Sequence, residues 1–438
     1  MKKMLILTLM ALFCMTLAVY AGGTQEANAE EGEITLYAAA GLDVYGESWD
    51  KFYELYPNIK INHIKTLGSG ESWDQKVTTA ILGGEDVDIA QQNPNAYYNL
   101  ASKGYFEDLR PYMEKDGLEG SDLMGSYSEV ILQPRGKIDG FLWEVSPWLM
   151  FYNKQYMDDA GLPYPELGWT WDDFEDYLAA LTKGEGADKV FGYYGHTWDI
   201  CLSLFGIEAA KGEWFTDDGK CNIKSPEWQK GIKYYKGLID KGYAVPISDM
   251  QSLKMHYSGT FLSGQSAMTY NGAWVFQYIR DKERFPHDFT PGITSLPIPD
   301  KSYPKNYTTG APGAGVLVAN SKKKELAWTF IKYYTTNPDN QILTAAKMGG
   351  LATYVPKGRE EELFAAMLNG TGVTVKDAEA LTTPWVYFNE KPIGEVGSVY
   401  GRIIEEELPL YYNGNRDLAS TLDLIEKRVN EEIEKAKM

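Results

Sequence analysis

The feature that most restricts this chain is the strict alternation of short apolar strands with amphipathic helices between residues 33 and 104. Glu33-Ile-Thr-Leu-Tyr37 alternates as a first strand and ends on the small residues Ala38 to Gly41. Ser48 to Tyr56 carries Trp49, Phe52, Tyr53 and Tyr56 at helical spacing and is stopped by Pro57-Asn58. Ile59 to Ile64 alternates again, and Trp73 to Leu82 reads as a helix closed by Gly83-Gly84. Val87 to Ala90 is a short third strand, and Ala96 to Lys103 a third helix. A βαβαβα order implies a mostly parallel sheet with helices on both faces, because parallel neighbours need a crossover between them. The fold class is therefore α/β. Ligands of such sheets sit beyond the carboxyl ends of the strands. That rule selects Gly41, Ser69 within Gly68-Ser-Gly70, and Gln92 and Asn95 within Gln91 to Asn95.

The rest of the chain is more helical, with helix patterns over Asp172–Leu181, Glu227–Ile239 behind Ser225-Pro226, and Val275–Arg284. Strand character returns over Pro297–Val318, and Tyr400–Lys437 is helical. At 438 residues the chain exceeds one comfortable core, so two lobes are expected. The start reads as an export leader over residues 1–21: Lys2 and Lys3, an uncharged stretch from Met4 to Tyr20, and Val19-Tyr20-Ala21 as a cleavage site. Residues 22–32 form a linker, in which Ala27-Asn28-Ala29 offers a second cleavage site. Cys14 offers lipid anchoring as a secondary reading, disfavoured by the bulky Phe13 before it. The expected location is outside the cytoplasm, in the periplasm. The formal charge of −19 falls to about −21 once the two leader lysines are removed, which makes nucleic acid an improbable partner. Cys201 and Cys221 remain after cleavage. In an exported protein they can close a loop of about 20 residues, worth about 3 kcal/mol, or stay as two buried thiols; the bridge is slightly favoured.

Chemistry-bearing motifs are sparse. The four histidines, His63, His196, His256 and His287, are scattered and no CxxC or HExxH occurs, so no metal is expected. No GxSxG occurs, and Gly310-Ala-Pro-Gly313-Ala-Gly315 lacks the Lys-Ser/Thr of a phosphate loop. No cofactor is implied. Aromatic residues make up 13% of the chain, and Trp143, Trp148, Trp198, Trp274 and Trp385 fall near predicted loops or element ends. A sugar ring offers an apolar C–H face and a rim of hydroxyls, so its receptor wants an aromatic plate beside planar hydrogen-bonding side chains. Trp143-Glu144, Trp198-Asp199 with His196 close by, and Asn271-Gly272-Ala273-Trp274 each offer that pairing. Trp49, Trp73, Trp171, Trp228 and Trp328 lie in amphipathic helix patterns and read as packing residues.

Three segments in order carry a resemblance. Phe151-Tyr-Asn-Lys154, Ala160-Gly-Leu-Pro163 and Trp169-Thr-Trp-Asp-Asp-Phe174 form the first; Phe261 to Trp274 is the second; Leu317-Val-Ala with Ser321 to Phe330 is the third. Together they resemble the extracellular solute-binding proteins (family 1) of ATP-driven carbohydrate importers, maltodextrin-type periplasmic binding proteins among them. The resemblance implies a two-lobed periplasmic-binding-protein fold of type II, each lobe a mostly parallel sheet flanked by helices, with the ligand cleft at the hinge. It implies crossings near Trp143, Gly292 and Thr336. The N-terminal lobe would be 33–143 plus 293–336, and the C-terminal lobe 144–292 plus 337–438. It implies a non-enzymatic monomer that captures a carbohydrate and hands it to the membrane permease of an ABC importer, and it places Trp274 on the sugar. Gly41-Leu42 and Ser398 depart from the maltodextrin pattern, with Trp385 or Tyr400 as substitutes for a missing tryptophan. The competing readings are the same receptor for a polyamine, a glycerophosphate or a metal, and an exported carbohydrate-active enzyme with paired acids.

Overall fold

In a computed structural model of the chain, the described residues are 31–38, 42–65, 71–124, 137–349 and 357–437. The expected leader, nearly all of the linker, Gly41 and Ser69 lie outside them.

The first sheet begins as expected. β1 (Gly32–Ala38), α1 (Leu42–Leu55), β2 (Ile59–Lys65), α2 (Glu71–Gly83), β3 (Ile89–Gln92) and α3 (Pro94–Ala101) follow one another, and β1 pairs in parallel with both β2 and β3. β3 starts two residues later than the apolar pattern predicts. Asp88 stands just before it: its backbone still bonds to Thr35 and Val318, while its fully buried carboxylate accepts the Thr35 backbone N–H at 2.8 Å and the Ser321 hydroxyl at 2.6 Å.

The architecture turns on β4 (Phe141–Asn153), thirteen residues long and almost entirely buried. Its first half, Phe141 to Pro147, pairs antiparallel with β9 (Gly310–Leu317) of the first sheet. Its second half runs antiparallel to β6 (Ser266–Gly272) on one side, through Trp148 to Tyr152, and to β7 (Pro291–Thr294) on the other, through Met150 to Asn153. β5 (Phe191–Tyr194) then adds in parallel to β6, giving the order β2-β1-β3-β9-β4-β6-β5. One strand thus belongs to both lobes and changes partners at Pro147, which has no N–H to give to a ladder. The crossing strands run against their neighbours, so each sheet is mixed rather than mostly parallel.

The second lobe carries α4 (Trp171–Leu181), α5 (Asp199–Ala209), α6 (Pro226–Asp240), α7 (Tyr257–Leu262) and α8 (Val275–Arg280). α4 opens on a complete capping box, Thr170 with Asp173, worth about 1 kcal/mol. α8 is shorter than the sequence pattern suggests and ends at Arg280. The guanidinium of Arg280 donates to the carbonyls of Ala346 and Met367, tying the helix end to two others.

The return crossing falls later than Gly292. β7 is still part of the second sheet, and the Ile298 carbonyl accepts the Trp171 N–H at 2.9 Å. Only after β8 (Tyr307–Thr308), which pairs with β10 (Val386–Tyr387), does the chain enter β9. After α9 (Lys324–Thr336), Asn337 caps α10 (Pro338–Met348), accepting the Asn340 N–H at 3.0 Å. α10 touches both lobes, through a 2.7 Å Lys347–Glu47 ion pair with α1 and through Gln277 on α8, which donates to the Met348 carbonyl at 2.8 Å. The tail forms two helices, α11 (Gly397–Tyr412) and α12 (Leu418–Ala436), parted by Gly414 at φ +74°. Among the described residues no helix is long and apolar enough to cross a membrane.

Candidate functional site

Strand alternation decides which side chains of β4 can act together. A register shift between Leu142 and Glu144 sets Glu144 on the face of Phe141 rather than that of Leu142, since Phe141 pairs with Gly315 and Glu144 with Gly313. From there Glu144, Ser146 and Trp148 share one face, spread over roughly 13 Å at 3.3 Å per residue. Trp148 pairs with Gly272, which puts Tyr270 on the same face, its ring 5.3 Å from the Trp148 ring. Gly313 pairs with Glu144, and a side chain there would meet Glu144 and Gln91, so this face continues toward β3.

Three indoles gather on that face. Trp148, almost fully buried, lies edge-on to Trp274 at 5.2 Å and to Trp198 at 6.4 Å, and Trp198 and Trp274 are 6.3 Å apart. Tyr257, at the start of α7, meets Trp198 at 5.2 Å, and His196 lies against Trp198 at 4.1 Å. Trp274 is only partly buried and takes its place by folding back over β6. Gly272 permits this, because a Cβ at that position would fall inside the indole. The rings lie against one another, and Trp198 and Trp274 are the two that stay partly exposed.

Polar atoms on this face are left without partners. The Ser146 hydroxyl and His196 Nδ1 are buried with no hydrogen bond, and the Trp148 and Trp274 indole N–H groups have only the Glu390 carboxyl and the Tyr257 hydroxyl beside them. Such unbonded atoms are rare in native proteins and cost about 1–3 kcal/mol each, so two on one face mark a surface built for something else to complete. Burial alone pushes the Glu144 carboxyl up to about 7. Burial pushes Glu390 up to about 8, with Lys391 opposing, Asp199 adding to the rise and the Trp148 indole N–H opposing it. His196 is held down to about 4, by burial first and by His256 second, so it is neutral at physiological pH.

The residues singled out in the sequence divide on this geometry. Trp274, Gly272, Trp148, Trp198, His196 and Glu144 come together. Trp143 does not: it is fully buried in the first lobe, stacked on Tyr334 at 4.4 Å, and belongs to the core. Asn271 projects to the opposite side of β6, donating to Thr269 Oγ1 at 3.1 Å. Gln92 ends β3 fully buried with both amide atoms unbonded, but it pairs with Ala314, on the face away from Glu144. Asp199 is next to the site but committed: its carboxylate binds Lys391 Nζ and accepts the Ile200 N–H at 2.8 Å. Trp385 also spends its polar atom locally, donating to the Ala380 carbonyl, with its ring against Tyr387. The side chain of Asn95 lies outside the described residues, as do Gly41 and Ser69. Cys201 and Cys221 are separate buried thiols, and Cys221 Sγ lies 3.0 Å from the Tyr400 hydroxyl, which corrects the expected bridge.

Sequence reasoning missed Glu390, Lys391, Tyr257 and Tyr270. Counting alternate residues along Ser266–Gly272 would have set Tyr270 with Gly272. No local signal placed Glu390.

The model of the family described as bacterial extracellular solute-binding protein matches residues 47–366. A binding protein of Brucella abortus (strain 2308) is 25% identical over 323 residues, spanning 70% of this chain and 72% of its own. The maltotriose-binding protein of Pyrococcus abyssi is 23% identical over 343 residues, 76% of this chain and 68% of its own. Among solved structures, an ABC substrate-binding protein from Listeria monocytogenes in complex with cycloalternan superposes with a TM-score of 0.77 at 22% identity, covering 92% of this chain and 99% of that one. UgpB from Mycobacterium tuberculosis in complex with glycerophosphocholine gives 0.76 at 19% identity, covering 93% and 100%. Those structures share the two-lobed fold built around β4, and the family match runs from the first helix through both sheets: the chain belongs to the bacterial extracellular solute-binding proteins.

Proposed function

We propose that this chain is the substrate-binding component of an ABC importer, holding a carbohydrate between its two lobes and presenting it to a membrane permease. The observation that carries the reading is the indole face with its unpartnered polar atoms: partly exposed Trp198 and Trp274 offer plates for a sugar ring, and Ser146, His196 and Glu390 offer hydrogen-bonding atoms at their edges. The maltotriose and cycloalternan receptors among its relatives support the same ligand class. A glycerophosphate, the cargo named for other relatives, calls for a basic cradle. The groups bearing on this face are acidic instead. The protein acts as an exported monomer, without cofactor or catalysis.

The lobes divide at β4 near Pro147, at Thr309, and at Asn337, with α10 between them. Closure is a hinge motion at these three crossings. The test is a thermal-shift screen of the chain against mono- and oligosaccharides, spermidine and glycerol 3-phosphate. A saccharide at 100 times its Kd raises stability by about 2.7 kcal/mol, and Trp274→Ala removes most of that gain. If glycerol 3-phosphate or spermidine raises the melting temperature and no saccharide does, the proposal is wrong.

A further inference from the structure

The charges around the indole face are one-sided. Glu390 is 7% exposed behind Trp148 and Tyr270, and among the described residues the Trp148 indole N–H is the one uncharged donor turned toward its carboxyl. The one cation that bears on it, among the described residues, is Lys391, whose Nζ is already bound to Asp199. Lys391 feels three carboxyls, those of Asp199, Glu390 and Glu405, so this end of the site carries excess negative charge when all are ionised. At the other end Glu144 stands on the same strand face with no charged group acting on it. Between them Ser146, 5% exposed, points an unbonded hydroxyl along that face. His196 supplies no positive charge, because burial keeps its imidazole neutral.

A buried carboxyl with no cation is either protonated or costly, and a ligand hydroxyl relieves it less than an ammonium does. Resting on the carbohydrate reading above, we infer that the solute is an aminated saccharide, with its ring on Trp274 and Trp198 and a protonated amine directed to Glu390. Neutral sugars of equal size fit the plates but leave the carboxyl unmatched.

The experiment is calorimetric titration of the full chain with the trimer of β-linked glucosamine, its fully N-acetylated counterpart and maltotriose, at low and at moderate salt. The aminated trimer should bind about tenfold or more tighter than the acetylated one, as one partly buried charge-assisted hydrogen bond implies, and its affinity should fall with added salt. Glu390→Gln should reduce the ratio of the two trimers' affinities to about threefold or less, and Glu390→Leu, which removes the same charge, serves as the second variant if the first does not fold. Equal or tighter binding of the acetylated trimer or of maltotriose overturns the amine while leaving the carbohydrate reading intact. Binding of spermidine with no saccharide bound overturns both.

Discussion

The substitution Gly272→Ala isolates the device that builds the site. The new methyl would lie well inside the 3.4 Å at which ordinary contact begins, against three ring carbons of Trp274. β6 is buried along its whole length, so the strand cannot yield, and the indole must shift by roughly 1 Å or more to restore normal separation. Overpacking of this kind costs about 1–3 kcal/mol. Displacing an aromatic anchor from a ligand contact removes about 2 kcal/mol or more, a loss of about thirtyfold in affinity. Calorimetry with the best saccharide from the screen reads the affinity, and near-UV circular dichroism reads the tryptophan environment. Because the clash is with the indole itself, Gly272→Ala should cost almost nothing in a Trp274→Ala background, a non-additivity that a double-mutant cycle detects. Unchanged affinity together with an unchanged near-UV spectrum in Gly272→Ala would refute the folded-back placement of Trp274.

Three further outcomes are expected. The folded Glu390 carboxyl titrates near 8, above its ordinary 4.5, so the native state binds more protons than the unfolded chain in that interval and stability falls as pH rises from about 4.5 through 8. Glu390→Gln should flatten that decline, with a gain above pH 8 of at most about 5 kcal/mol, measured by denaturant titration at pH 5, 7 and 9; an unchanged slope counts against the burial of this carboxyl. Trp143→Ala should cost about 3–5 kcal/mol, because it empties a core position stacked on Tyr334, with saccharide affinity kept within about threefold wherever the protein remains folded. A reducing agent should leave the melting temperature unchanged, since Cys201 and Cys221 are not bridged; a drop of several degrees would restore the disulfide.

What could be read from the sequence was what local physics controls. The strand and helix periods between residues 33 and 104 gave the parallel start of the first sheet, because both repeats follow from one buried face per element. β4 escaped that reading: Phe141–Asn153 is buried on both faces and passes from one lobe to the other, so its sequence shows neither a period of two nor a stop. The late return crossing was hidden for a related reason, since Pro291–Thr294 is an ordinary short strand whose partner is fixed only by tertiary pairing. Tyr400–Lys437 reads as one helical stretch, and the break at Asn413-Gly414 needed more weight on glycine than on the charges that follow.

The site was half legible, and the half that was missed has a physical cause. Tryptophans advertise themselves by size, but whether an indole is a plate or a core filler depends on which lobe the strand has reached when it leaves. Trp143 and Trp148 lie five residues apart on β4, and with a register shift at Trp143 one stacks on Tyr334 inside the first lobe while the other meets Trp198 and Trp274. Glu390 could not be found locally at all, since its surroundings are assembled from Trp148, Tyr270, Asp199 and Lys391, three of them more than a hundred residues away in the chain. It is also where ordinary rules of folding are stretched, a carboxyl 7% exposed whose nearest cation is already bound to Asp199 and whose donor is an indole N–H. Selection for stability alone would remove such a group, because replacing it with a neutral isostere relieves the penalty. Its presence beside Trp148 is the ground on which an ammonium is expected of the solute, since one indole N–H does not offset the charge that burial penalises.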